Sequence, residues 1–314
     1  MTARPLRSAG LRTPTGLRSD AWLRGDDEVA LANRVALASA GLDVSADGGR
    51  PVIGIANSAS DLNPCNLPLR DLAVAVRAGV REAGGVPVEF GSIPLGEDLM
   101  KPSAMLYRNL LSIEIEEIIR SYPLDGIVLL AGCDKTVPGA IMGAVSADLP
   151  MVLVTSGSRE PATFRGRRIG TGSDLWRLWD ERRAGRLDDA DWRELERCLA
   201  CGTGTCNTMG TASTMAILAE TLGLMMPGSA TVPAGYPRGR AAAMAAGRCT
   251  VDAVRDARRP ATILTPAAFA NAIRMLHAIG GSTNAIIHLA AIAGRVGVPL
   301  PLDDLGRLGE GIPV

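Results

Sequence analysis

The stretch Asp125-Gly-Ile-Val-Leu-Leu-Ala-Gly-Cys-Asp-Lys135 decides the fold class of this chain. Its first seven residues predict a buried strand, and a strand without polar alternation is typical of a parallel sheet covered on both faces. Residues 51–57, 86–90 and 151–155 predict three further strands, with helices at 69–83, 103–122 and 140–147 between them. We therefore expect an α/β fold, in which a three-layer parallel sheet flanked by helices is followed by a mainly helical segment.

The rest of the chain divides around this core. Residues 1–30 include an Arg-, Gly- and Thr-rich stretch without periodicity and are predicted to form an N-terminal arm or a partner-wrapping segment. Residues 31–314 are predicted to form one domain, with the sheet core at 51–157 and a mostly helical part at 158–314. Helices are expected at 173–183, 190–198, 207–224, 238–255, 266–279 and 283–296. The chain ends without a closing element, so we expect it to be truncated at Val314.

Composition excludes several classes of protein. The 314 residues balance 33 Lys and Arg against 33 Asp and Glu, so the chain lacks the positive charge of a general nucleic-acid binder. No apolar run approaches the roughly 18 residues that span a bilayer, and no apolar core follows the N-terminal arginines as in a secretory signal. We expect a cytoplasmic protein without nucleic-acid or membrane partners.

Polar loops follow three of the predicted strands, at 57–66, 94–98 and 131–135. Open α/β sheets bind ligands at the carboxyl ends of their strands, so these loops are candidate sites. The triplet Cys133-Asp134-Lys135 brings three kinds of functional side chain to one loop. The residues alone leave a second interpretation open, in which Cys133 is a small buried side chain and Asp134 caps a helix starting near Thr136.

The six cysteines are poor disulfide candidates in a cytosolic chain and better candidates for metal binding or the core. They stand at positions 65, 133, 198, 201, 206 and 249. Cys198-x2-Cys201-x4-Cys206 by itself suggests a local zinc or iron–sulfur knuckle. A closed site would need a fourth ligand, but His277 and His288 lie far downstream and are predicted to be ordinary helix residues. The spacing therefore leaves open which of these cysteines bind metal.

Four motifs occur together in the chain, and together they carry a family resemblance. They are Ser-x-x-Asp-Leu-Asn-Pro-Cys-Asn at 58–66, Gly-Cys-Asp-Lys-Thr-x-Pro-Gly at 132–139, Cys-Asn-Thr-Met-Gly-Thr-Ala-Ser-Thr-Met at 206–215 and Gly-Gly-Ser-Thr-Asn-Ala at 280–285. In this order they resemble the dihydroxy-acid and sugar-acid dehydratases. The resemblance runs from about residue 18 to the end of the chain.

The resemblance implies two metal sites. Cys65, Cys133 and Cys206 match the three thiolates that hold a 2Fe–2S cluster in that family, which leaves one iron with an open position. Cys198, Cys201 and Cys249 match no ligand and are expected to be structural.

The second implied site binds Mg²⁺ through Glu97, Asp134 and Lys135, with the lysine carbamylated by carbon dioxide. A carbamate converts a cation into an oxygen-donor anion, which suits a hard ion. The chain has only two lysines, and the carbamate would explain why arginine does not replace Lys135.

The resemblance also implies a reaction, the removal of water from a 2,3-dihydroxy carboxylic acid to give a 2-keto-3-deoxy acid. Mg²⁺ would bind the carboxylate and the C2 hydroxyl of this small-molecule substrate, and the open iron would take the C3 hydroxyl. The family's base is a serine in a C-terminal β-rich domain that lies beyond Val314, so no catalytic base is assigned here. The full-length protein is expected to be a homodimer or homotetramer.

Residues 94–109 favour a sugar acid as substrate. They resemble the Gly-Glu-Thr-x-x-Arg-Pro-Thr-Ala-Met-x-x-Arg-Asn pattern of the pentonate dehydratases, with Asp98 and Lys101 as departures. The first alternative is the dihydroxy-acid dehydratase of branched-chain amino-acid biosynthesis. Two others are an inactive half-enzyme that serves as a binding or assembly module, and a zinc protein built on Cys198, Cys201 and Cys206.

Overall fold

The computed structural model describes residues 16–44 and 49–313 and contains a four-stranded parallel sheet. The strands lie in the order β2-β1-β3-β4. Their bounds are β1 Val52–Asn57, β2 Val86–Gly91, β3 Gly126–Leu130 and β4 Met151–Val154. The α/β fold and the four predicted strands are confirmed.

The helices have the bounds α1 Asp20–Leu23, α2 Glu28–Ser39, α3 Leu69–Glu82, α4 Arg108–Ser121, α5 Thr136–Ala147, α6 Ser173–Arg183, α7 Asp189–Leu199, α8 Thr211–Thr221, α9 Pro237–Arg255, α10 Pro260–Ile263, α11 Pro266–Ala278, α12 Asn284–Arg295 and α13 Leu302–Gly309. Short 3₁₀ turns occupy Pro64–Asn66 and Ala104–Tyr107. The second of these turns replaces the start of the helix predicted at 103–122, because the Ser103 hydroxyl accepts a hydrogen bond from the Met105 backbone N–H.

One face of the sheet packs against α3 and α9. Side chains that alternate along the strands, such as Ile53 and Val128, join Val76 of α3 and Ala246 of α9 in one buried cluster. The two helices cross closely because glycines stand at the contact. A Cβ atom on Gly79 would lie 1.9 Å from the Met244 carbonyl oxygen, and one on Gly247 would lie 2.4 Å from the Val76 carbonyl oxygen.

The other face of the sheet packs against α4 and α5, with α8, α11 and α12 behind them. Ile127 and Leu129 of β3 point to this side, where Leu111, Ile141 and Phe269 complete the buried cluster. The helices after residue 200 therefore supply cover for both faces of the sheet rather than a separate layer.

A small hairpin in the polar segment was not predicted. β5 (Ala162–Phe164) and β6 (Arg167–Ile169) pair antiparallel and pack with α6 and α7 around Leu178 and Leu195. The strands are joined by the two-residue turn Arg165-Gly166, in which both residues have positive φ, as one favoured type of hairpin turn requires. The glycine was the available signal in the sequence.

Part of the predicted N-terminal arm packs on the chain itself. The Arg18 guanidinium donates to the Tyr122 carbonyl at 2.7 Å and to the Leu124 carbonyl at 2.9 Å. The Ser19 backbone N–H and hydroxyl both donate to the buried carboxylate of Asp125. Residues 1–15 of the predicted arm lie outside the described residues. Within the described ranges, no helix is both long enough and apolar enough to cross a membrane.

Candidate functional site

The candidate site lies where the carboxyl ends of the four parallel strands meet at one edge of the sheet. The loops that leave β1, β2 and β3 contain Cys65, Glu97 and Cys133. In a parallel sheet these loops emerge on the same side, which brings residues far apart in sequence together.

Asn66 ties the first and third of these loops together. Its side chain is fully buried, donates to the Ser58 hydroxyl at 2.8 Å and accepts from the Gly132 backbone N–H at 3.0 Å. Since Asn66 follows Cys65 and Gly132 precedes Cys133, these hydrogen bonds set the spacing of the two cysteines. Asn66 was not among the residues predicted from the sequence to shape the site. Its place beside Cys65 in the Pro-Cys-Asn turn was the available signal.

The loop that carries Cys206 is fastened to the extension of β4. The Thr205 N–H donates to the Gly157 carbonyl at 2.9 Å, and the Arg159 N–H donates to the Thr205 carbonyl at 2.9 Å. The preceding Gly204 donates to the carbonyl of Pro64, the neighbour of Cys65. Gly204 has φ +130°, and a side chain there would meet backbone on two sides, so this close approach requires glycine.

The three cysteines at positions 65, 133 and 206 come together. The Cys65 thiol is buried and shares hydrogen bonds with both Cys133 and Cys206, which raise the pKa of Cys65 together with burial. The hydrogen bond from Cys65 lowers the pKa of Cys206 to about 6, with further help from the positive charge of Arg159. The Arg159 Nη2 lies 3.8 Å from the Cys65 Sγ. The cluster is therefore poised to release a thiol proton near neutral pH.

The other three cysteines do not join this group. Cys198 packs against the small cluster around α6 and α7, and Cys249 of α9 packs against the buried cluster that α9 forms with α3 and the sheet. The exposed Cys201 Sγ lies 3.6 Å from the Glu160 carbonyl oxygen. Cys206 thus faces Cys65 rather than Cys198, and the local zinc knuckle is not what this geometry favours.

Asp134 and Lys135 form a largely buried ion pair beside the thiols. The Lys135 Nζ lies 2.5 Å from the Asp134 Oδ2, and the two side chains are 7% and 18% exposed. The other carboxylate oxygen of Asp134 accepts from the Cys133 Sγ at 3.3 Å. The alternative in which Asp134 caps α5 is wrong, because the cap position is Lys135 and has no side-chain cap, while the Thr136 hydroxyl accepts from the Cys133 N–H.

Glu97 lies at the exposed rim of the site. Its carboxylate accepts from the Ser103 hydroxyl at 3.0 Å and from the Ala104 N–H at 3.1 Å, so its orientation is fixed by its own loop. The neighbouring Asp98 is close enough to act electrostatically on Cys206. The loop therefore borders the thiols, although the hydrogen bonds of Glu97 do not reach Asp134 or Lys135.

His288 lies on a helix, α12, as predicted, but its surroundings are not those of an ordinary helix residue. Its ring is fully buried and its Nδ1 lies 2.9 Å from Nη1 of the buried Arg108. Burial, with the charges of Arg108 and Lys135, lowers the pKa of His288 to about 4, so the ring is neutral at physiological pH. His277 does fit the earlier interpretation, since its Nε2 lies 2.9 Å from the Leu305 carbonyl oxygen.

In the described part of the chain, no group of three or more His, Cys, Asp and Glu side chains is arranged around a single-ion position. A two-iron cluster does not require such a cage, because its ligands divide between two metal atoms. An open groove of about 690 Å³ adjoins the Cys206 loop and includes Asn207, Thr208 and Arg168 in its lining.

These features define an α/β protein with thiols, carboxylates and a buried lysine gathered at the carboxyl edge of its sheet. Comparison with known proteins identifies the family within that class. Residues 50–314 match the family described as dihydroxy-acid/6-phosphogluconate dehydratase N-terminal. The chain belongs to this family, which confirms the resemblance seen in the motifs.

Individual relatives are sugar-acid and dihydroxy-acid dehydratases. The chain is 48% identical over 300 residues to the L-arabinonate dehydratase of Rhizobium leguminosarum bv. trifolii, covering 96% of this chain and 52% of that protein. It is 46% identical over 298 residues to the 6-deoxy-6-sulfo-D-gluconate dehydratase of Pseudomonas putida, covering 95% and 52%. It is 40% identical over 274 residues to the dihydroxy-acid dehydratase of a Roseiflexus species, covering 85% and 49%. The chain thus spans about half the length of the curated relatives it matches.

Proposed function

We propose that this chain supplies the metal-binding part of a hydro-lyase that removes water from a 2,3-dihydroxy carboxylic acid and yields a 2-keto-3-deoxy acid. The observation that carries the proposal is the gathering of Cys65, Cys133 and Cys206 around shared thiol hydrogen bonds. The ion pair of Asp134 and Lys135 directly follows the second of these cysteines in the chain.

The three thiols fit a 2Fe–2S cluster. Thiolate sulfur is the ligand that iron–sulfur clusters require, and the lowered pKa of Cys206 favours that form. Arg159 would offset part of the negative charge that three thiolates bring into a buried position. When bound through three cysteines, the cluster would supply a Lewis acid with one open position for a departing hydroxyl.

Asp134 and Lys135, with Glu97 at the rim, offer the donor types that Mg²⁺ prefers once Lys135 carries a carbamate. A lysine ammonium repels a cation, whereas a carbamate offers oxygen ligands of the kind magnesium prefers. A magnesium ion bound at this site would hold the substrate carboxylate and C2 hydroxyl and make the C2 proton more acidic. Glu97 is suited to complete the site because it is exposed at the rim and already oriented by Ser103.

A sugar acid is the substrate class that we favour. Two of the relatives named above are an arabinonate and a sulfogluconate dehydratase, and residues 94–109 resemble the pentonate pattern. The open groove beside Asn207 and Thr208 also includes Arg168 in its lining, and these side chains can hydrogen-bond to hydroxyl groups. A dihydroxy-isovalerate type of substrate is the second candidate, favoured by the Roseiflexus relative.

None of the residues described here is assigned as the base that takes the C2 proton. His288 is excluded from that role because its ring is fully buried and its Nδ1 already accepts from Arg108. The family resemblance implies that this base is a serine, and none of the described serines is assigned to that role.

The cluster is tested by anaerobic reconstitution with iron and sulfide, followed by visible absorption. We expect Cys65→Ser, Cys133→Ser and Cys206→Ser each to abolish the colour of the wild-type chain, because hydroxyls are poor replacements for thiolates. Cys201→Ser is the matched control and should keep the colour. Loss of colour in Cys201→Ser with retention in Cys65→Ser would overturn the ligand assignment.

The magnesium site is tested separately by titration calorimetry in bicarbonate buffer. Glu97→Gln and Asp134→Asn each remove an anionic oxygen without a change of size and should weaken Mg²⁺ binding while leaving the iron–sulfur spectrum nearly unchanged. Lys135→Arg should act in the same way because guanidinium does not form the carbamate. Wild-type affinity in Lys135→Arg would contradict the carbamate.

A further inference from the structure

A buried pair of side chains, Arg108 and His288, lies behind the candidate magnesium site. Arg108 is the first residue of α4 and is 8% exposed, while His288 on α12 is 0% exposed. The Arg108 Nη1 lies 2.9 Å from the His288 Nδ1. An arginine donates hydrogen bonds and never accepts them, so His288 Nδ1 is the acceptor and the ring proton is on Nε2.

The Nε2–H group has no hydrogen-bond acceptor among the described residues. The His288 Nε2 is buried without a hydrogen-bond partner, and so is the Arg108 Nε. A buried N–H without an acceptor costs about 1–3 kcal/mol, and native proteins rarely keep one without a reason. The pair therefore indicates a missing acceptor.

Lys135 is the neighbour that could become this acceptor. It stands at the start of α5, which packs between α4 and α12. The Arg108 carbonyl oxygen is only 3.1 Å from where a Cβ on Gly139 would lie, one turn into α5. The charges of Lys135 and Asp134 both act on the His288 ring.

Hydrogen-bond donors exceed acceptors in this group. The Arg108 guanidinium, the His288 Nε2–H and the Lys135 ammonium all donate, and Asp134 is the one carboxylate among these four side chains. Carbamylation reverses the balance. The Lys135 ammonium first loses a proton, its nitrogen lone pair forms a bond to the carbon of CO₂, and one C=O electron pair moves onto oxygen. A second nitrogen proton then leaves to water. The cation has become an anion with two acceptor oxygens.

We propose that His288, with its tautomer fixed by Arg108, is a positioning residue that donates its Nε2–H to the carbamate of Lys135. The inference rests on the proposed function, since it presumes the carbamate. It assigns to the buried histidine the task of orienting a magnesium ligand from behind. Outer hydrogen bonds of this kind hold metal ligands in place, and their loss commonly weakens metal binding about 10–100-fold.

The test compares His288→Gln with His288→Asn in the 314-residue chain. Glutamine reaches far enough to place an amide N–H near the position of Nε2, whereas asparagine is one methylene shorter. The carbamate is measured by ¹³C NMR after equilibration with ¹³C-bicarbonate, and Mg²⁺ affinity is measured by calorimetry. We expect His288→Asn to lose most of the carbamate signal and to bind Mg²⁺ about 10–100-fold more weakly. His288→Gln should retain most of both.

Two controls separate positioning from folding. His277→Asn changes the other histidine, which bonds to a carbonyl remote from Lys135, and should leave the carbamate unchanged. If thermal unfolding shows that His288→Asn is not folded, Arg108→Met takes its place. That variant leaves the ring intact but no longer fixes its tautomer, and it should lower the carbamate signal.

The outcomes distinguish this inference from the proposed function. Absence of a carbamate signal in the wild-type chain at saturating bicarbonate would overturn the proposed magnesium site and this inference with it. A wild-type signal that persists at full strength in folded His288→Asn or Arg108→Met, with unchanged Mg²⁺ affinity, would overturn only the role of His288.

Discussion

Removing the Cys65 thiol should raise the pKa of Cys206 in the metal-free chain. Cys206 has a pKa of about 6 instead of 9.0, and the first cause is the hydrogen bond that it accepts from Cys65. At pH 7 a thiol with that pKa is about 90% thiolate, against about 1% for an unperturbed one. Cys65→Ala deletes the donor, whereas Cys65→Ser keeps a hydroxyl that can donate in its place.

The size of the shift follows from the hydrogen bond. A hydrogen bond to a charged group contributes about 1.5–3 kcal/mol, and one pKa unit corresponds to about 1.36 kcal/mol. Loss of the Cys65 donor should therefore raise the pKa of Cys206 by roughly 1–2 units, to between about 7 and 8. The increase stops short of the ordinary value because Arg159 and a hydrogen bond from Thr171 still favour the thiolate.

The assay is the rate of alkylation of Cys206 by iodoacetamide across pH 5 to 10, followed on its peptide by mass spectrometry. The midpoint of the rate against pH reports the pKa and does not depend on how accessible the sulfur is. A lower pKa also makes a thiolate a weaker nucleophile, so the midpoint is a cleaner measure than the absolute rate. The Cys201→Ser chain serves as the control and should keep the Cys206 midpoint of the wild-type chain.

Two results would refute the reasoning. One is a wild-type Cys206 midpoint near 9, which would mean that the three thiols do not interact in solution. The other is a midpoint that stays near 6 in Cys65→Ala, which would assign the shift to Arg159 rather than to the neighbouring thiol.

Three further predictions concern stability. Gly79→Ala should lower the free energy of unfolding, measured by urea titration, by about 1–3 kcal/mol, because the new Cβ would lie 1.9 Å from the Met244 carbonyl oxygen. Gly294→Ala is the control and should not destabilise the chain, since the space around Gly294 is open. Asn66→Ala should cost about 1–3 kcal/mol, since it leaves a buried backbone N–H without its acceptor, and a loss within error would remove Asn66 from the loop framework. Burial raises the pKa of Asp125 above its ordinary 3.8, so the contribution of Asp125 to stability is fully present at low pH and is lost as pH rises through the folded pKa. Asp125→Asn should therefore flatten this part of the plot of unfolding free energy against pH. An identical pH slope in both proteins would contradict the prediction.

The sequence predicted the central sheet because three of its four strands are buried along nearly their whole length. β3 and β4 are buried at every position, which gives continuous apolar runs that stand out against the amphipathic helices between them. Helix α6 was predicted with its observed bounds and α9 to within one residue, since local periodicity and terminal residues determine where helices begin and end. The hairpin β5–β6 was not predicted because its strands have three residues each and β6 begins with two exposed arginines.

The candidate site was predictable only in part. Cys65, Cys133 and Cys206 are 68 and 73 residues apart, and no local pattern distinguishes them from Cys198 or Cys201. Their selection came from the family resemblance of the motifs. The parallel sheet brings the loops of Cys65 and Cys133 to the same edge. The loop of Cys206 reaches that edge because Thr205 pairs with the extension of β4.

The sequence by itself determined which residues can form strands and helices, because those depend on the periodicity of neighbouring side chains. It also determined the chemistry available at the loops, such as the single Cys133-Asp134-Lys135 triplet. Only the tertiary structure decided which distant groups meet. His288 lies 153 residues beyond Lys135 in the chain, and only the packing of α12 against α5 brings its ring within range of the charge of Lys135. Contacts between helices depend on how whole surfaces fit together, and that information is not present in any local stretch of sequence.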